Sequence, residues 1–143
     1  MELPDNVVGE IIAGELHVSP RPAPRHARAA SKLGRIIDGP YDSGVNGPGG
    51  WIILDEPEIH KEEHIFVPDI VGWKKDRLTL KNEDVFISVE PDWACEILSP
   101  GTTKLDKVKK MPLYAEIGIK FFWLVDPAIK TLDVYVNDHA NWK

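Results

Sequence analysis

The sequence predicts an α/β or α+β fold: a mixed β-sheet, an antiparallel hairpin portion feeding a parallel portion, with helices packed on it. Three observations predict it. The first part of the chain holds short apolar segments separated by turn-forming residues, beginning with an N-terminal β-hairpin at Glu10 to Val18. Trp93 to Leu98 and Phe121 to Val125 are nearly continuous apolar runs, as expected of strands covered on both faces. A helix-like stretch separates these two runs. Strand, helix and strand make a crossover unit that should be right-handed and set its strands parallel.

The elements follow in order. Glu10 to Val18 reads as two strands around an Ala13-Gly14 turn, and Ser19 to Pro24 is a proline-rich loop. From Arg25 to Ile37 the pattern turns helical. His26, Ala30, Leu33 and Ile37 share one face, while Arg25, Arg28, Lys32 and Arg35 share the other. Asp38 to Gly50 is rich in Gly, Pro, Asn and Ser and is expected to be a loop. Trp51 to Asp55 and Ile65 to Trp73 are expected strands joined through Lys61-Glu62-Glu63, followed by a charged connector with a short strand at Val85-Phe86-Ile87. Thr102 or Thr103 could cap a helix running to Ile117, with Gly118 as its stop. Pro112 should kink or split that helix. Leu132 to Val136 alternates as a further strand, and Asn137 to Lys143 is expected to be a frayed tail.

At 143 residues the chain is the size of about one ~150-residue domain, so residues 1–143 are expected to form a single unit. Hydrophobic content of 43% with 28% charged residues supplies one core. No apolar run approaches the ~20 residues needed to cross a bilayer. Met1-Glu2-Leu3-Pro4-Asp5 lacks the layout of a secretory signal, and a cytoplasmic location is the expectation. The lone Cys95 excludes an internal disulfide framework and a cysteine-based zinc site. Because its neighbour Glu96 takes one face of the strand, Cys95 takes the other and is expected in the core. A net charge of -6 argues against unselective coating of nucleic acid. It leaves room for a nuclease, whose metal supplies its own positive charge.

Asp69, in Val67-Pro68-Asp69-Ile70-Val71, and Glu96, in Cys95-Glu96-Ile97-Leu98, are isolated carboxylates among strand-forming apolar residues. Buried alone they are costly, so they ask for a partner such as a divalent cation. Adjacent strands lie ~4.8 Å apart, close enough for two side chains at one height to share an ion. Oxygen ligands suit Mg²⁺ or Mn²⁺, and the carbonyl of Ile97 would be a further ligand. Alternatively Asp69 merely begins a strand and Glu96 pairs with a lysine. Lys104, Lys107, Lys109 and Lys110 open the following helix. Four lysines in seven positions usually make a solvated face, but Lys110, with Lys107 as runner-up, could carry an ammonium to the scissile phosphate. The stripe of Arg25, Arg28, Lys32 and Arg35 could contact phosphates or be an ordinary solvated face.

The ordered set is specific where its parts are not. Pro68-Asp69, then Glu96-Ile97-Leu98-Ser99-Pro100, then Asp106 with Lys110 four positions on, then Leu113-Tyr114-Ala115-Glu116 with Gly118, then Trp123-Leu124-Val125-Asp126-Pro127 follow one another. Gly14-Glu15-Leu16, Ser19-Pro20 and Arg25-His26 precede them. Together they resemble a bacterial branch of the PD-(D/E)XK nuclease superfamily, restriction-endonuclease-like proteins abundant in cyanobacteria and grouped as a domain of unknown function. The resemblance covers nearly the whole chain. It implies a restriction-endonuclease-like core and a Mg²⁺- or Mn²⁺-dependent endonuclease acting on DNA, with Asp69 and Glu96 on the metal.

Most of the superfamily carries its lysine two residues after the acid, where this chain has Leu98; the branch has moved it to the next helix, at Lys110. Glu10 matches an acidic position of the opening strand, either as an outer-shell ligand or as a surface residue. His26 matches the Arg-His step and is expected as a packed core histidine. Phe121-Phe122-Trp123 departs from the branch, which has an acidic residue before its aromatic-Trp step. A homodimer is expected, since such nucleases pair their sites to cut both strands. The alternative is a nucleic-acid- or protein-binding module that keeps the fold without turnover.

Overall fold

A computed structural model of the chain describes residues 3–100, 102–103 and 105–143. Lys104, one of the four lysines singled out above, lies outside the described residues. Strands β1 (Val7–Ile12) and β2 (Glu15–Pro20) form the expected N-terminal hairpin, closed by Ala13 and Gly14 at φ 53° and 79°. Positive φ at both central residues matches the right-handed twist of the strands. Strand alternation puts Glu10 on the same face as Ile12, and both are buried.

Helix α1 (Pro24–Ile37) starts with proline in its first turn, where a missing N–H costs nothing. A π-helical turn, Asp38–Ser43, occupies part of the stretch expected to be a loop, and Asp42 accepts a hydrogen bond from the Ile53 N–H at 2.8 Å. That bond caps the outer edge of β3 (Trp51–Asp55), the edge strand of its sheet. A free edge invites pairing with another chain, and a carboxylate on it blunts that tendency.

The single strand expected over Ile65 to Trp73 is three pieces. β4 (Ile59–Lys61) and β5 (His64–Phe66) form a small hairpin around Glu62, and β6 (Ile70–Lys74) starts afresh. Pro68 supplies the break, because it cannot donate to a ladder, and it leaves Asp69 just before β6. The short strand expected at Val85-Phe86-Ile87 reduces to one isolated bridge, Ile59 to Ile87, with Val85 exposed.

Strand β7 (Trp93–Ile97) is buried throughout, and β8 (Phe121–Asp126) pairs with it in parallel, as the crossover pattern requires. The crossover contains a π-helical turn, Leu105–Lys110, running into α2 (Met111–Glu116). Pro112 is the physical cause of the split: without an N–H it cannot close the α-helical bond back to Val108, so the preceding turn is free to widen. Gly118, at φ 91°, stops the helix where expected.

The tail is ordered, contrary to the frayed end expected. β9 (Thr131–Asp138) turns into β10 (Asn141–Trp142), which pairs back on it. The Trp142 indole N–H donates to the Met111 carbonyl at 2.7 Å, and its ring packs on Phe122. An aromatic that buries its ring and satisfies its N–H ties the chain end to α2.

Two sheets result. One has the order β2-β1-β5-β4; the other has the order β10-β9-β8-β7-β6-β3, antiparallel except at β7–β8. Ala29, Ala30, Leu33 and Ile37 of α1 cover one face of the larger sheet, over Ile70, Trp93, Cys95 and Ile97. On that face Gly72 leaves room for its neighbours: a Cβ there would stand 2.9 Å from Ile53 and 3.3 Å from Trp93. The opposite face, with Ala94, Leu98, Phe122 and Leu124, packs on Leu113 and Tyr114 of α2 and on Ile12, Ile59 and Phe66 of the smaller sheet. Cys95 is buried on the α1 face, as alternation from Glu96 demands.

Candidate active site

The register of β6 against β7 sets the geometry. Ile70 lies opposite Cys95, so one further step along the antiparallel pair sets Asp69 opposite Glu96. Opposite residues of an antiparallel pair project to the same face. Proline before Asp69 ends the preceding strand, so its carboxylate is free to turn inward. It accepts the Ile97 N–H at Oδ2, 2.7 Å away. The N–H and C=O of a strand residue point to the same side, so the Ile97 carbonyl also faces the Asp69 side of β7.

Lys110 reaches this point from the widened turn. Its Nζ stands 2.8 Å from Glu10 Oε2, 2.9 Å from Glu96 Oε2 and 3.8 Å from Asp106 Oδ1. Glu96, Asp106 and Lys110 are each only 2% exposed. Lys107 and Lys109, its neighbours on the same turn, are exposed, which removes Lys107 as runner-up. The Tyr114 hydroxyl donates to Glu96 Oε1 at 3.0 Å, and the Val67 N–H donates to Glu10 Oε2 at 2.8 Å. Glu10 is thus a buried partner of the lysine and not a surface strand residue. His26 is buried as expected of a core histidine, yet its Nε2 is 3.2 Å from Asp69 Oδ2, so it belongs to the site.

Glu10, His26, Asp69, Glu96, Asp106 and Lys110 all line one cavity of about 50 Å³. Burial lowers the Lys110 amine, but Glu96, Tyr114, Glu10 and Asp106 together lift it well above its ordinary value. An amine at salt-bridge distance from two carboxylates is an ammonium. Burial pushes the Glu96 carboxyl well up, with Lys110 opposing and Asp106, Asp69 and Glu10 adding their repulsion. Burial likewise pushes Asp106 up to about 6 against the pull of Lys110. For His26, burial lowers the imidazole, and the hydrogen bond and charge of Asp69, with Glu56 and Asp106, raise it above its usual value.

Four carboxylates around one ammonium and one histidine leave an excess of negative charge in a low-dielectric hollow. Among the described residues, Asp106 Oδ2 is buried without a hydrogen-bond partner. Unspent acceptor oxygen and surplus charge both suit a divalent cation with oxygen ligands. Among the described residues no three His, Cys, Asp or Glu side chains already converge as a metal cage. The groups that could hold an ion there are Asp69, Glu96 and the Ile97 carbonyl.

Sequence reasoning gave Asp106 and Tyr114 no role. Their signal was present in the spacing: Asp106, Lys110 and Tyr114 recur at steps of four, the period that brings side chains to one side of a helix.

A mixed sheet with facing acids on neighbouring strands, and a lysine delivered by the crossover that follows, defines a restriction-endonuclease-like protein. The chain belongs to the Uma2 family, described as "Putative restriction endonuclease", whose model matches residues 1–143. No curated protein matches it. Among solved structures it is similar to a chain from Anabaena variabilis described as a putative nuclease belonging to DUF820, with 24% identity and a TM-score of 0.80. That alignment covers 100% of this chain and 78% of the other, and it shows the shared fold. No helix among the described residues is long and apolar enough to cross a membrane.

Proposed function

We propose that residues 1–143 act as one restriction-endonuclease-like domain, a Mg²⁺- or Mn²⁺-dependent endonuclease that hydrolyses DNA phosphodiester bonds in the cytoplasm. The observation that carries this reading is the ammonium of Lys110 clasped between Glu10 and Glu96 in the cavity where Asp69 also arrives. Asp69, Glu96 and the carbonyl of Ile97 would hold the ion. When bound, a divalent ion supplies activation of water for attack and neutralisation of charge on the phosphate.

The chain's own residues do the rest. The Ile97 N–H and His26 Nε2 hold the Asp69 carboxylate in one orientation. Tyr114 and Lys110 orient the two oxygens of Glu96. Lys110, kept as an ammonium by Glu10 and Glu96, is a poor proton acceptor and serves as a pre-positioned charge toward phosphate oxygen. Glu10 supports that amine from the opposite side and so acts on the chemistry through Lys110.

One specific observation favours the second reading, a nucleic-acid- or protein-binding module without turnover. Both oxygens of Glu96 already have protein partners. A carboxylate has about four acceptor sites, so those partners leave capacity for an ion. Cleavage of duplex DNA with Mg²⁺ or Mn²⁺ tests the choice. Loss of cutting in folded Asp69→Ala and Lys110→Ala, with calorimetric Mn²⁺ binding lost in Glu96→Ala, is the expected result. Cutting that survives Asp69→Ala refutes the assignment, and absent metal binding with DNA affinity retained selects the module.

A homodimer belongs to the same reading. On the α1 face of the larger sheet, beyond the reach of α1, Leu132, Val134 and Val136 of β9 are exposed beside Phe121 and Trp123 of β8. The strip continues into an apolar groove of about 210 Å³ at Tyr41, Trp51 and Trp93. Apolar patches of more than a few hundred Å² commonly mark interfaces. A two-fold axis over this strip would set like against like with no opposed charge.

A further inference from the structure

Building on the nuclease reading above, we propose that the outward face of α1 anchors the phosphate backbone of the duplex beside the cut, with Arg25, Arg28 and Lys32 as its contacts. The chain as a whole is acidic, with 23 Asp and Glu against 17 Lys and Arg. Its cavity is more acidic still, lined by five carboxylates (Glu10, Glu56, Asp69, Glu96 and Asp106) against Lys110 and His26. A polyanion approaching that hollow is repelled unless cations stand close to the entrance.

Helix α1 provides them. Arg25, Arg28, Lys32 and Arg35 are all exposed, at steps of three, four and three, on the side opposite the buried His26 and Ile37 and the half-buried Ala30 and Leu33. The ion pairs among the described residues use Lys61, Arg77, Lys110, Lys120 and Lys143 and none of these four. Arg35 shares a depression with Asp38 and Asp55, which offset its charge, so it is left out of the assignment.

Position in the fold links the stripe to the chemistry. His26, which touches Asp69, follows Arg25 directly, so the stripe begins where α1 meets the cavity. Arg25 also lines, with Ser99, Thr103 and a single carboxylate, Asp126, a depression that shares His26 with the cavity. Seven residues of helix from Arg25 to Lys32 rise about 10 Å, the axial rise of about three nucleotides of one strand. Three cations at that spacing match a row of phosphates, and contacts made to phosphate position the duplex without selecting sequence.

The test is the salt dependence of binding to a short labelled duplex, with chelator present so that nothing is cut. Arg28→Ala/Lys32→Ala is compared with wild type and with Lys81→Ala/Lys130→Ala, which removes equal charge from exposed positions elsewhere. Each lost phosphate contact lowers the slope of log affinity against log salt by about 0.9, so the α1 variant should lose about 1.8. Its affinity then falls about twelvefold less than wild type between about 50 and 200 mM salt. Equal slopes in wild type and the α1 variant overturn the proposal, as does an equal drop in the control or no binding by wild type. Loss of poly-glutamate binding in the α1 variant at unchanged DNA slope also overturns it, and reassigns the face to an acidic protein. A wild type that shows the slope difference but never cuts with Mn²⁺ ends the nuclease reading while the anchoring surface stands; cutting with equal slopes is the reverse.

Discussion

Lys110→Met is the sharpest single probe of the cluster, because it keeps side-chain length and removes only the charge. The wild-type ammonium makes contacts of 2.8 Å to Glu10 and 2.9 Å to Glu96, and all three side chains are almost wholly buried. Removing one member of a buried ion pair costs about 3–5 kcal/mol, because the partner charge is left uncompensated. Here two carboxylates lose their counter-ion at once, which argues for the upper end of that range. With a urea slope of about 2 kcal/mol per molar, the midpoint falls by about 2 M in chelator at neutral pH. Lys107→Met removes the same charge from an exposed position of the same turn and should stay within about 0.5 kcal/mol of wild type. Adding Glu96→Gln to Lys110→Met should recover part of the loss, since it deletes one of the stranded charges. Tryptophan fluorescence during urea titration reads all of these. A loss below about 1 kcal/mol, or one equal to that of Lys107→Met, would mean that water reaches the cluster and the sealed-site argument is wrong.

Val134→Asp places a charge in the exposed strip of β9 while touching nothing buried, so the variant is expected to be a folded monomer and the wild type, on the proposal above, a dimer. Light scattering after size exclusion decides it, and a variant that keeps the wild-type mass refutes the strip as the interface. Glu90 gives a pH prediction away from the site. Burial raises its carboxyl, but a backbone hydrogen bond, Lys61 at 3.0 Å and Arg77 at 3.1 Å outweigh that and hold it below the ordinary glutamate value. A depressed acid stabilises fully above its unfolded value and loses that contribution as pH falls through the folded one. Glu90→Gln should therefore be less stable than wild type at neutral pH, with the difference shrinking below about pH 4. A stability gap that does not change with pH in urea titrations refutes the pairing.

The crossover was legible because it is encoded locally. Two apolar runs flank a charged helical stretch, and parallel pairing of β7 with β8 follows from connection length and handedness. Asp69 opposite Glu96 was legible for a similar reason, since lone acids in strand-forming surroundings need a partner that propensity alone does not provide. What escaped notice depended on contacts distant in sequence. The tail from Asn137 onward is polar and carries turn residues, so it reads as frayed. Its order comes from Trp142 meeting Met111 and Phe122, far upstream. The strand over Ile65 to Trp73 looked continuous in hydropathy, and only the missing N–H of Pro68 divides it between two sheets.

The lysines show where such reading stops. Lys107, Lys109 and Lys110 lie within four positions and carry the same chemistry, yet one is sealed and two are in water. An ideal helix drawn through them gives no reason for Lys110 to be buried with three acids. The reason lies two residues further on, at Pro112, ahead of which the turn is widened and carries Asp106 and Lys110 inward together. Burying three carboxylates beside the partly buried Asp69 is unfavourable unless positive charge is brought to them, and the one buried lysine offsets only part of it. Burial first, and the neighbouring carboxylates after it, make Glu96 and Asp106 hold their protons above the ordinary range, and the surplus negative charge is what the proposed divalent ion would offset.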